Sequence, residues 1–187
     1  MLIAQAIKYK NVTYLNISPA LHTRPIVEAQ GFSRYSTGQF VALPALSMNG
    51  SGGTAQVVGV DTRPGGHFER CELNLLLAHQ QHGCLSLWCT ASGRAHPFVF
   101  MPRLTKGVIP CAQLVYCRDI REFVRLARPI GRHLAVRGRP LVIIDSNGPI
   151  PGLVGKYVHG KAPKYFKGPD RPQFGDLAYT EAILFGL

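Results

Sequence analysis

The sequence has few acidic residues, no long hydrophobic run and no C-x-x-C pair of cysteines. Its 187 residues include 10 Asp and Glu against 21 Lys and Arg, which gives a formal net charge of +11. Such a surface attracts phosphates on a nucleotide cofactor, a nucleic acid or a membrane, and charge alone does not choose among them. No apolar stretch approaches the roughly 18 residues of a bilayer-spanning helix, and no basic region followed by an apolar stretch opens the chain. We therefore expect a cytoplasmic protein without a membrane partner.

The cysteines are odd in number, which argues against a disulfide framework, and they form no C-x-x-C pair, so their spacing gives no support to a structural zinc site. Most of them lie in apolar stretches, which is typical of buried, reduced thiols. No His and Asp are spaced to activate Cys117 as a nucleophile. The five are Cys71, Cys84, Cys89, Cys111 and Cys117.

The length and the 46% hydrophobic composition indicate a globular chain of one large domain or one and a half small ones. The clearest linker is the Gly-rich MNGSGGT at 48–54, and RPGGH at 63–67 is a second break. We place the boundary at residue 50, which divides the chain into parts 1–50 and 51–187.

The first part reads as the close of a fold. LIAQAIK has the apolar spacing of a helix end, and VTYLNIS favours a strand. A helix follows, which begins at Ser18-Pro19 or, because Pro25 would disturb it, near Thr23, and which ends at Gly31. The segment FSRYSTGQFVALPAL, 32–46, then offers one strand, or two with a turn near Thr37-Gly38.

The second part predicts alternating helices and strands. Asp119 and Glu122 form an acidic N-cap and third-position pair that favours a helix start. The crossover from strand to helix to strand requires a partly parallel sheet, so we expect a mixed α/β fold. In order, the elements are a helix at 68–82, strands at 84–90 and 96–102 joined by a hairpin at 91–94, a strand at 111–117, a helix at 120–137, a strand at 140–145, a Gly-, Pro- and Lys-rich loop at 148–175, and a last strand at 177–185.

Several of these segments resemble the GNAT superfamily of acyl-CoA N-acyltransferases. VTYLNIS, the helix up to Gln30 and Gly31-Phe32 leading into SRYSTGQF resemble the closing elements of that fold, and LIAQAIKYKN is similar to the tail of its central helix. The order of elements over 68–145 resembles a second GNAT unit. The resemblance implies a tandem, GNAT-like α/β architecture in which 1–50 is the C-terminal half of one unit and 51–187 is a second, divergent domain.

The sequence departs from the family at its cofactor motif. In the family, a glycine-rich segment, R/Q-x-x-G-x-G/A, offers backbone amides at a helix N-terminus to the pyrophosphate. The corresponding segment here is YCRDIREFV, 116–124, which has no glycine and carries the negative Asp119. The tyrosine that often serves as general acid is replaced by Ile26, and the asparagine near the start of the closing helix is not matched at Ala20.

The resemblance implies acetyl-CoA or another acyl-CoA as co-substrate and an amine, on a small molecule or a peptide, as acceptor. Strand amides of Leu114, Val115 and Tyr116 would polarise the thioester carbonyl. Arg118 and Arg121, at the start of the 120–137 helix, would meet the cofactor phosphates.

The acceptor amine must lose a proton, and the candidates for proton transfer lie at or near strand ends. Tyr116 and Glu181 are the residues we assign to catalysis, and Asp145 is a third candidate. Each also has an ordinary structural interpretation.

Three further patterns have a structural and a functional interpretation. Arginines at 118, 121, 125, 128 and 132 share one helical face, which is either solvated or bound to phosphates. The segment 156–171 interleaves Lys and Arg with Tyr and Phe, as in a loop packed on the sheet or a single-stranded nucleic-acid site. His79 and His82 share a helical face, but histidines at helix C-termini are common without a metal, and we expect no metal site.

Three functions remain open at this point. The leading one is acyl transfer from acyl-CoA to an amine; the alternatives are an inactive GNAT-like binding module and, less favoured, a basic nucleic-acid-binding protein. The first part lacks opening strands of its own, so its sheet must be completed by the second part or by a partner chain. A homodimer is therefore one hypothesis.

Overall fold

The computed structural model describes residues 15–17, 19–36, 39–51, 54–146, 149–159 and 163–168, which form two sheets and three α-helices. Two 3-10 turns, Leu21–Thr23 and Ala45–Ser47, accompany them. The helices are α1 (Arg24–Ala29), α2 (Arg70–Gln81) and α3 (Ile120–Val136). The strands are β1 (Leu15–Ile17), β2 (Ser33–Ser36), β3 (Gln39–Pro44), β4 (Gln56–Gly59), β5 (Leu85–Ala91), β6 (Arg94–Thr105), β7 (Ile109–Cys117), β8 (Leu141–Ser146), β9 (Lys156–His159) and β10 (Lys164–Lys167).

The large sheet has seven strands in the order β4-β5-β6-β7-β8-β3-β9. Neighbouring strands in this sheet are antiparallel except β7 and β8, which are parallel and joined by α3. The mixed α/β fold with a partly parallel sheet is therefore confirmed. One core, the α3 core, lies between the sheet and α3 and includes Phe98, Leu114, Phe123 and Ile144. A second, the α2 core, lies on the opposite face around Leu76.

The small sheet has three antiparallel strands in the order β1-β10-β2. Its central strand, β10, comes from the end of the described chain, whereas its outer strands come from the beginning. The large sheet shows the reverse, because the early strand β3 lies between the late strands β8 and β9. The beginning and the end of the chain thus exchange one strand each, and each sheet contains a strand that the other end of the chain supplies.

Most helix and strand predictions in the second part match the structure within two residues, and the hairpin turn falls at Ser92-Gly93 as expected. Gly31, Gly83 and Gly138 follow helices and have positive φ, which an L-residue side chain would disfavour. Within residues 32–46 the structure has two strands, β2 and β3, which is the second of the two predicted alternatives.

The prediction of a continuous loop over 148–175 is wrong, because β9 and β10 lie within it. Both strands are only four residues long and are stabilised by pairing with distant parts of the chain, so Gly and Pro content was a poor guide. Strand β4 went unpredicted. The expected helix end at 2–8 and the last strand at 177–185, with its Glu181, lie outside the described residues, and the boundary at residue 50 stays a prediction.

The segment after β3 runs along α3 in close contact. A Cβ added at Gly131 would overlap the carbonyl oxygen of Ala45, and one at Gly50 would overlap the backbone of Val124 and Arg125. Glycine at these two positions lets the backbone of the segment lie directly on the helix. Helix α3 therefore packs against both the large sheet and this segment.

We expect Gly131→Ala to destabilise the protein by about 2 kcal/mol, since the new methyl group forces the Ala45 backbone away from α3. The sign is informative because Gly→Ala inside a helix ordinarily stabilises by roughly 1 kcal/mol. Urea denaturation measures the change. Arg128→Ala, on the exposed side of the same helix, should stay within about 0.5 kcal/mol. A stabilised Gly131→Ala variant would contradict the close packing.

Candidate functional site

The parallel strands at the centre of the large sheet separate towards their carboxyl ends. β7 and β8 pair over four positions, from Cys111 opposite Leu141 to Leu114 opposite Ile144. Beyond them β7 continues to Cys117, while β8 continues along β3, with Asp145 opposite Phe40. Ligands in open α/β sheets bind outside the carboxyl ends of strands, where neighbours diverge. This opening is the candidate site.

β7 carries a bulge beside the opening. Leu114 lies opposite Phe100 and Tyr116 lies opposite Val99, so Val115 has no partner on β6 within this register. The bulge places Val115 and Tyr116 on the same face, both against the α2 core. A bulged residue stands outside the regular pairing of the two strands.

Asp145 lies on the β8 side of the opening. It follows Ile144, which belongs to the α3 core, so its side chain is on the other face of the sheet. Gln113 Nε2 donates a hydrogen bond to Asp145 Oδ2 at 3.0 Å. Burial raises the pKa of the Asp145 carboxyl, and the positive charges of Lys164 and Arg103 oppose the rise without cancelling it. The result is a half-buried carboxyl with increased affinity for a proton, as a general base requires.

Tyr116 lies on the β7 side of the same opening and on the same face. Burial, then the negative charge of Glu72, raises the pKa of its phenol, which therefore stays protonated at neutral pH. Asp145 and Tyr116 lie on the two sides of the opening between β7 and β8. The Asp145 carboxyl binds a proton more readily than usual, whereas the Tyr116 phenol keeps its proton. This division of roles suits an acid–base pair.

The first turn of α3 is already occupied by a carboxylate. Asp119 is the N-cap, and its Oδ1 accepts a hydrogen bond from the Arg121 amide at 2.8 Å. Arg118 Nε donates to Glu72 Oε1 at 2.6 Å, and Glu72 is only 7% exposed. Of the two arginines expected at the cofactor phosphates, Arg118 is thus held in an ion pair and Arg121 is exposed. Phosphate binding at this helix end meets a negative charge.

A small cleft of about 180 Å³ lies between this turn and the start of β6, with His96 and Glu122 in its lining. Burial lowers the pKa of His96 despite the opposing effect of Glu122, whose Oε2 is 3.8 Å from Nε2, so the imidazole is neutral at pH 7. Glu122 also accepts a hydrogen bond from Arg125 Nε at 2.9 Å. The charged side chains around this cleft mainly pair with one another.

Sequence reasoning missed Gln113 and His96. Gln113 could have been found as the one amide in the apolar strand CAQLVYC, since a polar side chain in a buried strand needs a partner. His96 gave no local signal, because the residues that surround it come from other elements.

The remaining candidates acquire no chemical role in the described parts of the chain. Burial, reinforced by Asp119, raises the pKa of the Cys117 thiol to about 12, which keeps it protonated. Four cysteines are buried and Cys71 is exposed, all of them free. His79 and His82 are not part of any described group of three residues able to hold a metal. No helix in the described segments is long and apolar enough to cross a bilayer.

Comparison with solved structures finds acetyltransferases among the similar chains. A GCN5-related N-acetyltransferase from Anabaena variabilis has a similar structure, with TM-score 0.47 and 9% identity, over 90% of this chain and 49% of that one. Another, from Kribbella flavida, gives TM-score 0.46 and 11% identity, over 88% of this chain and 45% of that one. This chain thus spans about half the length of either. No family model matches the sequence, and no curated protein matches it.

Both solved chains are acetyltransferases of the superfamily that the sequence resembles. With TM-scores below 0.5 and identities of 9% and 11%, the similarity carries no argument about this chain, so the function must be argued from its residues.

Proposed function

We propose that this protein transfers an acyl group, such as acetyl, from acyl-CoA to an amine at the opening between β7 and β8. The observation that carries the proposal is Asp145, a carboxyl of raised pKa that follows the last β7–β8 pair on β8, as the bulged Val115 follows it on β7. The acceptor is the amine of a small molecule or a peptide, in solution as an ammonium ion that must be deprotonated before it reacts.

Each group at the opening has one task in this reaction. Asp145 removes a proton from the ammonium, and the free amine attacks the thioester carbonyl carbon. Backbone N–H groups around the Val115 bulge stabilise the negative charge that develops on the carbonyl oxygen. The C–N bond forms and the C–S bond breaks, the leaving thiolate takes a proton from the Tyr116 hydroxyl, and the second proton of the amine nitrogen passes to the resulting Tyr116 phenolate. The proton held by Asp145 is released to solvent, so that charge and protons balance.

The site also favours a second candidate function, an inactive GNAT-like module that binds a ligand or a partner. The observations behind it are the carboxylate of Asp119 at the N-terminus of α3 and the ion pair that holds Arg118. Both features disfavour the binding of pyrophosphate at the position that the GNAT family uses for it. This alternative differs from the enzyme in turnover, not in fold.

Calorimetric titration with acetyl-CoA, desulfo-CoA and 3′-dephospho-CoA tests the proposal. Micromolar binding of acetyl-CoA followed by acyl transfer in a screen of amines would support it, and weaker binding without the 3′-phosphate would indicate that arginines such as Arg121 meet that group. Binding without turnover favours the inactive module. No heat at high concentration would overturn the acyltransferase function for this chain.

If acyl-CoA binds at α3, Asp119→Ser should tighten the binding about fivefold. Serine caps a helix as well as aspartate does, whereas removing the carboxylate leaves the N-terminus free to attract phosphate, an effect worth about 1 kcal/mol. Calorimetry measures both affinities. Asp61→Ser, which removes the same charge at an exposed position outside α3, is the control. An unchanged affinity in Asp119→Ser would mean that the pyrophosphate does not reach this helix.

A further inference from the structure

One end of the large sheet, here called the basic apolar end, gathers segments that are distant in sequence. Residues 104–109 form the tip of the β6–β7 hairpin, which projects past the first pair of β7 and β8, Cys111 and Leu141. Strand β3 finishes at Pro44, also opposite Leu141, and the 3-10 turn Ala45–Ser47 follows it there. Helix α3 finishes at Val136, five residues before Leu141, and so reaches the same end.

This end exposes large aliphatic side chains. Val108 and Leu46 are each 75% exposed, Val136 is 86% exposed, and Leu104 is 60% exposed. With Ile109 they are five of the nine large hydrophobic residues that are exposed in the described parts of the chain. Single exposed apolar residues are ordinary, but a group at one end of a domain marks an interaction surface.

The charge at this end has one sign. Its basic side chains are Arg103, Lys106, Arg137 and Arg139, of which Arg103 and Arg139 both lie close enough to Cys111 to lower the pKa of its thiol against the effect of burial. The three segments that build the end, 44–48, 101–111 and 134–141, contain no Asp or Glu. Arg103 also acts on the Asp145 carboxyl. The exposed aliphatic groups together with the positive charge of Lys106, Arg137 and Arg139 form a surface complementary to one that is negative outside and apolar beneath.

We propose that the basic apolar end adsorbs to an anionic lipid bilayer. The aliphatic side chains of the hairpin tip enter the boundary between headgroups and acyl chains, and the arginines and Lys106 contact lipid phosphates. Aliphatic rather than aromatic side chains favour lipid over single-stranded nucleic acid, which binds by stacking on aromatic rings. Adsorption of this kind needs no spanning helix, so the sequence-based expectation of no membrane partner did not address it.

Sedimentation with vesicles tests the proposal in the full chain. The vesicles are phosphatidylcholine alone, or phosphatidylcholine and phosphatidylglycerol in equal parts. We expect binding to the mixed vesicles only, weakened by salt. The double variant L104S/V108S should bind about tenfold less tightly, as the loss of two inserted side chains implies. Leu21→Ser is the matched control, since Leu21 is 74% exposed but precedes α1, which contacts β10 of the small sheet.

Charge is tested separately. K106Q/R137Q should lower the affinity for mixed vesicles by about tenfold or more, because each basic residue near an anionic surface contributes independently. R63Q/R70Q removes the same charge from exposed positions elsewhere and should have a small effect.

Three results would overturn the proposal. The first is no binding to mixed vesicles beyond that to phosphatidylcholine. The second is equal binding of L104S/V108S and Leu21→Ser, which would mean attraction by net charge alone. The third is a wild-type dimer that L104S/V108S converts to a monomer in light scattering, which would assign this end to a second copy of the chain.

Discussion

Replacing Asp145 with Asn is expected to lower kcat/KM for acyl transfer by about 10²–10⁴-fold, the contribution typical of a general base. Asn keeps the size of the side chain and can still accept the hydrogen bond from Gln113. It cannot take the proton of the acceptor ammonium. The loss should therefore come from chemistry, with the affinity for acyl-CoA unchanged in calorimetry.

The same substitution should make the folded protein more stable at neutral pH. Burial raises the pKa of Asp145 in the folded state, so folding favours the protonated carboxyl. That contribution is fully present below the unfolded-state pKa and is lost as the pH rises through the raised folded-state pKa. Asn stays neutral throughout, and we expect a gain of about 1 kcal/mol at pH 7, the lower end of the cost of a buried polar group.

Two pH profiles separate a base from a structural carboxyl. With Asp145 as the base, the wild-type rate rises with pH through the raised pKa, and this limb disappears in Asp145→Asn. Urea denaturation as a function of pH should show the wild type losing stability over the same window and the variant not doing so. Asp61→Asn, at an exposed carboxyl, is the control. A variant that is stabilised but fully active would leave Asp145 without a catalytic role.

The parts of the fold that the sequence predicted well are those specified by local interactions. Helix α3 was predicted from the caps at both ends, Asp119 and Gly138, and both act as expected. Strand β8 was recognised as an apolar run bounded by turn residues. These signals depend on neighbours within a few positions, which a sequence displays directly.

The parts that it did not predict depend on distant partners. β10 pairs Phe166 with Asn16 on one side and Ser33 on the other, contacts that no local pattern contains. The bulge at Val115 shifts which face the following residue occupies, whereas a regular alternation would place Tyr116 in the α3 core. Asp145 could be proposed because it follows an apolar strand, but its partner Gln113 lies on another strand.

We expect Leu43→Ala to destabilise the whole protein by about 2–5 kcal/mol, the range for truncating a buried leucine. Leu43 is 2% exposed, belongs to the α3 core and lies on β3, the strand that the beginning of the chain contributes to the large sheet. Denaturant unfolding measures the change, and Val108→Ala, at a position 75% exposed, is the control.

The exchange of strands between the two sheets leads to a second expectation for Leu43→Ala. Two residues separate β2 from β3 in the chain. Four residues separate β9, which pairs with β3, from β10. Loosening β3 in the large sheet therefore removes the anchor of the segments that place β2 and β10 in the small one. Hydrogen exchange should show the amides of β2 and β10 losing protection together with those of β3, in one cooperative unit. If the small sheet kept its protection while β3 opened, the two sheets would be independent folding units, and the exchanged strands would connect them without coupling their stability.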